Sequence, residues 1–210
     1  MPPMNRLARA APPQSWVLTA AMLAVVAGCA SNSPPAPKIA ATPNYSYIIG
    51  PGDQLNIQVW RNPDLSSTVP VRPDGKINVA LVDDMPAMGK DPTTLQRDIE
   101  KALSKYVRDP IVTVIVTGFV GPYTEQIRVI GEAAHPQALP YKQNMTLLDV
   151  MITVGGITDF ADGNNARLVR ASDGNRIYNV RLRDLLRRGD ISANVDVKPG
   201  DVLVIPQSWF

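Results

Sequence analysis

Residues 47–60 read Tyr-Ile-Ile-Gly-Pro-Gly-Asp-Gln-Leu-Asn-Ile-Gln-Val-Trp and join a tight turn to an alternating strand. Proline suits the first central position of a type II turn, and glycine suits the second, where φ is positive. The alternation of apolar and polar residues after the turn predicts a strand with one buried face. The same turn recurs before the last apolar run of the chain. The structural residues of these two strand-entry turns are Pro51, Gly52, Asp53, Pro199, Gly200 and Asp201.

A first module, residues 44–121, extends outward from this stretch and is predicted to be β-rich with one crossing helix. The Asp-Gly pair at residues 74–75 predicts a hairpin that pairs Thr68–Arg72 with Lys76–Leu81. A helix is expected over Asp91–Val107, because aspartate is a good N-cap and the proline after it fits the first helical position. Spacings of three and four predict a packed helix face, made of Leu95, Ile99, Ala102, Leu103 and Tyr106.

A second module, residues 125–206, alternates strands with short helices. Thr146 caps a predicted helix that ends before two glycines. Residues 132–140 are expected to form a loop, and residues 207–210 a short tail. The predicted strands are Gln126–Gly131, Arg167–Arg170, Arg176–Leu182 and Val202–Pro206, with an Asp-Gly hairpin between the middle two. The fold class is therefore predicted to be α+β in two modules.

The N-terminus has the organisation of a bacterial lipoprotein leader. Two arginines precede an uncharged, mostly apolar run at residues 15–27. This run is shorter than the ~20 residues of a membrane-spanning helix, and it suits the core of a signal peptide. Small residues stand directly before Cys29, which predicts a signal peptide over residues 1–28 and a lipid-attachment site at Cys29. The Ser- and Pro-rich residues 29–43 are expected to be an extended tether that buries no core.

Composition argues against several classes of function. Without Arg6 and Arg9 of the leader, the 21 basic residues fall to 19 and match the 19 acidic ones. A chain without excess positive charge or a basic run is not expected to bind nucleic acid. One cysteine and one histidine exclude an intrachain disulfide, a CxxC site and a multi-histidine metal site. No catalytic set, metal or cofactor is predicted, and an enzyme is not expected.

Two surface features are candidate contacts. The stretch 181–188 has helical spacing, with leucines on one side and arginines on the other. It is read either as a solvated helix or as a subunit or polymer contact through Arg181, Arg183, Arg187 and Arg188. The terminal Trp209 and Phe210 are either frayed and exposed, or a contact for lipid headgroups or a barrel partner.

Several of these motifs carry a resemblance to a known family. The turn in residues 47–55, the hairpin 71–77 and the strand 109–114 look like a polysaccharide export domain. The motifs of the second module look like a soluble-ligand-binding β-grasp (SLBB) module, namely Val129–Glu132, Thr146–Asp149, Gly155–Thr158, Arg170 and Lys198–Pro206. Together with the leader, the chain resembles the Wza-like outer-membrane polysaccharide export lipoproteins.

The resemblance implies a lipid-anchored outer-membrane protein that faces the periplasm and forms a homo-oligomeric ring. A capsular polysaccharide or exopolysaccharide chain would reach this ring from an inner-membrane polysaccharide co-polymerase. Longer family members add a membrane-spanning C-terminal helix, whereas this sequence stops at Phe210 and resembles the short forms. A separate outer-membrane β-barrel is then expected as a partner. The alternative is a periplasmic lipoprotein that binds a soluble glycan or small ligand through its β-grasp domain.

Overall fold

The computed structural model describes residues 34–37 and 45–209 of the 210-residue chain. The apolar side chains of this part form two separate cores, one in a first domain and one in a second. Both domains combine sheets with helices. The expected α+β class is therefore confirmed.

The first domain is organised on a three-stranded sheet with the order β2-β1-β5, formed by Ser67–Pro70, Gln54–Val59 and Val112–Gly118. Both neighbours run antiparallel to the central strand β1. Leu55, Ile57 and Val59 of β1 are buried, and the residues between them face outward. The alternation in the sequence therefore predicts this strand correctly.

Helix α1, Pro92–Leu103, covers the buried face of that sheet. Its N-cap Asp91 accepts hydrogen bonds from the backbone N–H groups of Thr93 and Thr94, at 2.9 and 3.0 Å. Leu95, Ile99 and Leu103 are fully buried, as expected. The helix is shorter than predicted, because the N–H groups of Tyr106 and Val107 both close onto the Leu103 carbonyl in tight turns. Tyr106 is consequently 63% exposed, and its assignment to the buried face is wrong.

The hairpin expected across Asp74-Gly75 is wrong in its pairing. The turn itself is present, since the Gly75 N–H donates to the Arg72 carbonyl at 2.8 Å. However, strand β2 pairs with β1, and β3, Lys76–Val79, pairs with β4, Val82–Pro86. The Gly52 N–H donates to the Val71 carbonyl, and the Val71 N–H donates to the Asp53 carbonyl, which continues the β1–β2 pairing up to the turn. The β3–β4 turn uses Leu81 at φ 66°, a residue type that gives no turn signal.

The second domain has a five-stranded sheet of order β7-β6-β10-β8-β9. Its strands are β6 (Gln126–Gly131), β7 (Ala138–Pro140), β8 (Ala166–Arg170), β9 (Arg176–Val180) and β10 (Val202–Ile205). The central pair, β6 and β10, is parallel, and the other pairs are antiparallel. Two hairpins flanking a parallel central pair, with a helix packed on the sheet, form the β-grasp arrangement that was expected. Strand β7 lies where the sequence predicted a loop.

Two short helices complete the second domain. Helix α2, Leu147–Thr153, begins with a capping box in which the Thr146 N–H donates to the Asp149 carboxylate at 2.9 Å. Its Leu147, Val150 and Met151 belong to the second core. Helix α3 spans Leu182–Arg187. None of the helices among residues 34–37 and 45–209 has the length and hydropathy needed to cross a membrane.

Residues 34–37 form a strap along the outer edge of the second domain's sheet. Pro35 bridges Asn179 of edge strand β9 in parallel, and the Asn179 N–H donates to the Pro34 carbonyl at 3.0 Å. Ala36 is buried in the second core. An edge strand has unpaired backbone groups that such a segment can satisfy. The expectation that residues 29–43 bury no core is therefore wrong for the strap.

Candidate functional site at the domain junction

The two Pro-Gly-Asp turns have the same backbone geometry. Gly52 has φ 90° and Gly200 has φ 81°, values that side-chain-bearing residues rarely adopt. In each turn the aspartate N–H closes onto a carbonyl three residues earlier, at 3.3 Å for Asp53 and 3.2 Å for Asp201. Each aspartate stands directly before a strand and is completely buried. What differs between the two turns is the set of donors around the carboxylate.

The Asp53 carboxylate connects the first strand to the segment that leaves the first domain. Its Oδ1 accepts from the N–H groups of Val120 at 2.7 Å and Gly121 at 2.8 Å. Its Oδ2 accepts from the Gly50 N–H at 2.8 Å and from the Tyr47 hydroxyl at 2.7 Å. A charged acceptor with several N–H donors is strongly stabilised without a counter-ion. Burial, followed by the hydrogen bond to Asp53, raises the pKa of Tyr47 well above its ordinary value.

Gly50 lies against the segment that leaves the first domain (residues 120–122, the exit segment), too close for any side chain at residue 50. A Cβ atom there would overlap the backbone of Gly121 and Pro122. Gln126, at the start of β6, adds a contact from the second domain, because its Nε2 donates to the Val120 carbonyl at 3.2 Å. The exit segment is therefore held from both sides, by Asp53 of the first domain and by Gln126 of the second.

Aromatic rings flank this junction. Tyr47 packs edge-to-face on Phe119, with ring centroids 5.3 Å apart. Tyr45 packs in the same way on Tyr141 of the second domain, at 4.9 Å. Burial is the main cause that raises the pKa of Tyr45 to about 12, and nearby Glu125 adds to the effect. Such edge-to-face pairs add stability beyond area burial.

The second turn holds a buried cation instead. Asp201 Oδ2 accepts from the Lys198 N–H at 2.9 Å and lies 3.4 Å from Arg170 Nε. Arg170 is almost completely buried, donates to the Asp196 carbonyl at 2.8 Å and lies over the Tyr178 ring. Asp201 Oδ1 is buried without a hydrogen-bond partner. Burial raises the pKa of Asp201, although the Lys198 N–H and Arg170 act in the opposite direction.

Comparison with other proteins identifies both domains. Residues 41–117 match the family described as polysaccharide biosynthesis/export protein, and residues 125–205 match the SLBB domain. The chain thus combines these two domain types in this order. Its first domain is the export domain, and its second is an SLBB domain. The junction built around Asp53 lies where the first match gives way to the second.

Two curated relatives have the same description, "EPS I polysaccharide export outer membrane protein EpsA". The one from Ralstonia nicotianae (strain ATCC BAA-1114 / GMI1000) is 27% identical over 191 residues, which cover 80% of this chain and 48% of the relative. The one from Ralstonia solanacearum is 28% identical over 187 residues, which cover 78% of this chain and 48% of the relative. The chain thus spans about half the length of the curated relatives it matches.

The four arginines predicted as a polymer or subunit contact lie on or beside helix α3 of the SLBB domain. Each already has a partner within the domain. Arg181 and Arg188 pair with Asp184, at 3.0 and 3.1 Å. Arg187 pairs with Asp159 at 2.7 Å, and Arg183 donates to the Ala161 carbonyl at 2.7 Å. Exposed pairs of this kind are weak, but they reduce the local positive charge available to an anionic polymer. The contact stays a prediction, which this geometry does not favour.

The remaining predicted site residues lie at the two ends of the chain. Trp209 is 97% exposed, so its indole is available to a partner or a lipid surface. Cys29 and Phe210 lie outside the described residues. Among residues 34–37 and 45–209, no group of three or more His, Cys, Asp and Glu side chains is arranged to hold a metal ion.

No local pattern in the sequence indicates which residues hydrogen-bond to Asp53. Tyr47 and Gly50 lie just before it in the chain, whereas Val120 and Gly121 are far away in sequence. The one available signal was Gly121 itself, which precedes a proline and has φ 70° in the structure. Arg170 stands out in the sequence only through the family resemblance, and no local pattern predicts its burial against Asp201.

Proposed function

We propose that this protein is a non-enzymatic component of a capsular polysaccharide or exopolysaccharide export complex. The observation that carries the proposal is the order of the two matches, an export domain followed by an SLBB domain. The relatives described as EPS I polysaccharide export outer membrane proteins support the same role. The proposed role needs no catalytic group, only a surface along which a polymer passes.

In this proposal, identical subunits form a ring in the periplasm and each is anchored to the outer membrane through a lipid on Cys29. Two acyl chains give stable anchoring, whereas one chain is marginal. The ring would receive the polymer from an inner-membrane polysaccharide co-polymerase and deliver it to a separate outer-membrane β-barrel. The tightly bonded junction at Asp53 supports such assembly, because a ring requires both domains of each subunit in a fixed relation.

The export role is tested by deleting the gene in the source bacterium and measuring surface polysaccharide. We expect surface polymer to disappear while polymer inside the envelope remains or increases. Complementation with the wild-type gene should restore the surface polymer. Unchanged surface polysaccharide in the deletion strain would overturn the proposal.

Assembly and anchoring are tested separately on the purified, lipidated protein in detergent. Native mass spectrometry should report one closed oligomer and a mass that includes the lipid on Cys29. A Cys29→Ala variant should remain an unprocessed precursor and leave the outer-membrane fraction, with Ala30→Ser as the matched control. A monomer or dimer in the wild type would instead favour simple ligand binding through the SLBB domain.

A further inference from the structure

A groove of about 530 Å³ lies at the end of β1 remote from the domain junction. Asp53 stands before the first residue of β1, and Trp60 follows the last. The lining residues that matter for its chemistry are Gln58, Trp60, Arg61, Pro63, Ile111 and Thr113. The groove thus combines an indole, apolar walls, an amide, a hydroxyl and a guanidinium.

The apolar part of the groove is an exposed platform. Trp60 is 66% exposed and Ile111 is 59% exposed, and the Trp60 N–H donates to the Ile111 carbonyl at 2.9 Å. Trp60 directly follows β1 and Ile111 directly precedes β5, so the two residues lie side by side at the ends of adjacent strands. Pro63 contributes a third apolar wall. A tryptophan ring presents a large, rigid apolar face with a polar N–H at its edge, which suits a ligand that is itself both apolar and polar.

The polar groups around the platform are unused within the described chain. The side chains of Gln58, Trp60, Arg61 and Thr113 make no hydrogen bond or ion pair with any other residue of 34–37 and 45–209. Ser66, by contrast, is already occupied, because its Oγ accepts from the Val59 N–H at 2.9 Å. Among the described residues that line the groove, none carries a carboxylate, and Arg61 is the one charged side chain.

Arg61 has a backbone conformation that is energetically unfavourable for a residue with a side chain. The Asn62 N–H closes a turn onto the Val59 carbonyl at 3.1 Å, and Arg61 occupies the third position of that turn with φ 60°. Residues with a side chain lose about 1 kcal/mol or more in this region, and glycine would avoid the loss. Strained residues of this kind cluster at ligand sites, where the surrounding structure maintains them.

We propose that this groove binds an acidic saccharide segment of the exported polymer, with Trp60 stacking on a sugar ring and Arg61 pairing with its acidic group. This inference rests on the proposed export function. A pyranose ring has apolar C–H faces that suit the indole, and its hydroxyls match the free amide and hydroxyl of Gln58 and Thr113. A guanidinium pairs well with a carboxylate in a site without competing acids.

The test measures binding of two probes to the full-length lipidated protein in detergent. The probes are tetragalacturonate, which is acidic, and maltotetraose, which is neutral, and saturation-transfer NMR reports the bound sugar. We expect Trp60→Ala to weaken binding of the acidic probe about 10-fold or more. Arg61→Gln should weaken it by a similar factor, since one charge-assisted pair corresponds to about tenfold. Arg61→Lys should retain part of the affinity, whereas Arg61→Gln should leave maltotetraose binding unchanged.

Two matched controls test whether the loss of binding is specific to the groove or follows from removing any exposed tryptophan or arginine. Trp209→Ala removes an indole that is even more exposed than that of Trp60, and Arg176→Gln removes an exposed arginine with no ion pair among the described residues. Both should bind tetragalacturonate as the wild type does. All substituted side chains are exposed, and unchanged melting temperatures will show that the variants fold.

Three results would overturn the inference. The first is that the wild type does not bind tetragalacturonate. The second is that Trp60→Ala binds it as tightly as the wild type does. The third is that Trp60→Ala loses the oligomer but keeps sugar binding, which would make the groove a subunit interface. The proposed function fails by a different result, normal surface polysaccharide in the deletion strain. If Trp60→Ala keeps both affinity and export while the deletion strain exports nothing, only the groove assignment is wrong.

Discussion

The two Pro-Gly-Asp turns have one backbone geometry and two different electrostatic solutions. In the export domain, four neutral donors surround the Asp53 carboxylate, three of them backbone N–H groups. In the SLBB domain, the Asp201 carboxylate has one backbone N–H and a buried guanidinium, and one of its oxygens has no partner. The same four-residue turn therefore serves to tie two domains together in one place and to hold a buried cation in the other.

This difference shows that the motif specifies how a strand begins, and not what the aspartate does. A buried carboxylate requires donors, and nearby chain segments determine which donors are available. In the export domain the exit segment passes close enough to offer its N–H groups, because residue 50 is glycine. In the SLBB domain the donor is Arg170, at the end of strand β8.

The largest effect is expected from breaking the buried ion pair with Arg170→Met. The variant leaves the Asp201 carboxylate buried without its cation, which typically costs about 3–5 kcal/mol of unfolding free energy. Urea denaturation followed by circular dichroism measures the loss. The double variant Arg170→Met with Asp201→Asn should recover part of it, because neither charge is then left buried. A loss below about 1 kcal/mol in the single variant would contradict the ion pair's role.

A smaller but more local effect is expected from Asp53→Asn. The amide NH₂ would face two of the four donors, so we expect a loss of roughly 2–3 kcal/mol. Hydrogen exchange should accelerate at the N–H groups of Val120 and Gly121. Tyr47→Phe is the matched control, because it removes only one of the four donors and should cost about 1 kcal/mol. Equal losses in the two variants would mean that the exit segment is held by other contacts.

The glycines of the two turns should tolerate a methyl group unequally. At Gly52 an added Cβ lies 3.6 Å from the Val120 side chain, whereas at Gly200 it lies 2.7 Å from the Thr124 carbonyl oxygen. Gly52→Ala should cost about 1 kcal/mol for its positive φ alone. Gly200→Ala should cost about 2 kcal/mol or more, because the overlap adds to the strain. Thermal unfolding of both variants makes the comparison, and the reverse order would refute it.

The smallest effect concerns pH. Burial raises the pKa of Asp201, so the folded protein binds a proton more readily than the unfolded chain. The contribution of Asp201 to stability is therefore greatest below its unfolded pKa of about 4, and it falls as pH rises through the folded pKa. Subtracting the stability curve of Asp201→Asn from that of the wild type should give a negative slope above about pH 4. A positive slope would show that Arg170 outweighs burial.

Local patterns in the sequence were sufficient for much of the fold. Alternation predicts β1, and the strand predicted over Gln126–Gly131 has the observed bounds of β6. Helical spacing predicted the buried Leu95, Ile99 and Leu103 of α1. These features depend on residues a few positions apart, where side-chain direction follows directly from backbone geometry.

Pairing and ionic contacts were less predictable, because they depend on residues far apart in sequence. The Asp-Gly at residues 74–75 does form a turn, but the strands on either side of it, β2 and β3, pair with β1 and β4 and not with each other. Helical spacing places the four arginines near α3 opposite its leucines, but it does not indicate their acidic partners, which include Asp159 from a distant loop. The groove at Trp60 was not foreseen either, since its walls come from two strands separated by the whole of α1.

The strap at residues 34–37 also affects the order in which the molecule is completed. Its backbone partner, Asn179, lies near the opposite end of the chain. The strap cannot dock until β8 and β9 have been synthesised and paired, so a segment that emerges early reaches its native position late. A pull on the N-terminal side of the strap would likewise load β9 of the SLBB domain before any strand of the export domain. The part of the chain closest to the expected anchor thus depends mechanically on the domain that is made last.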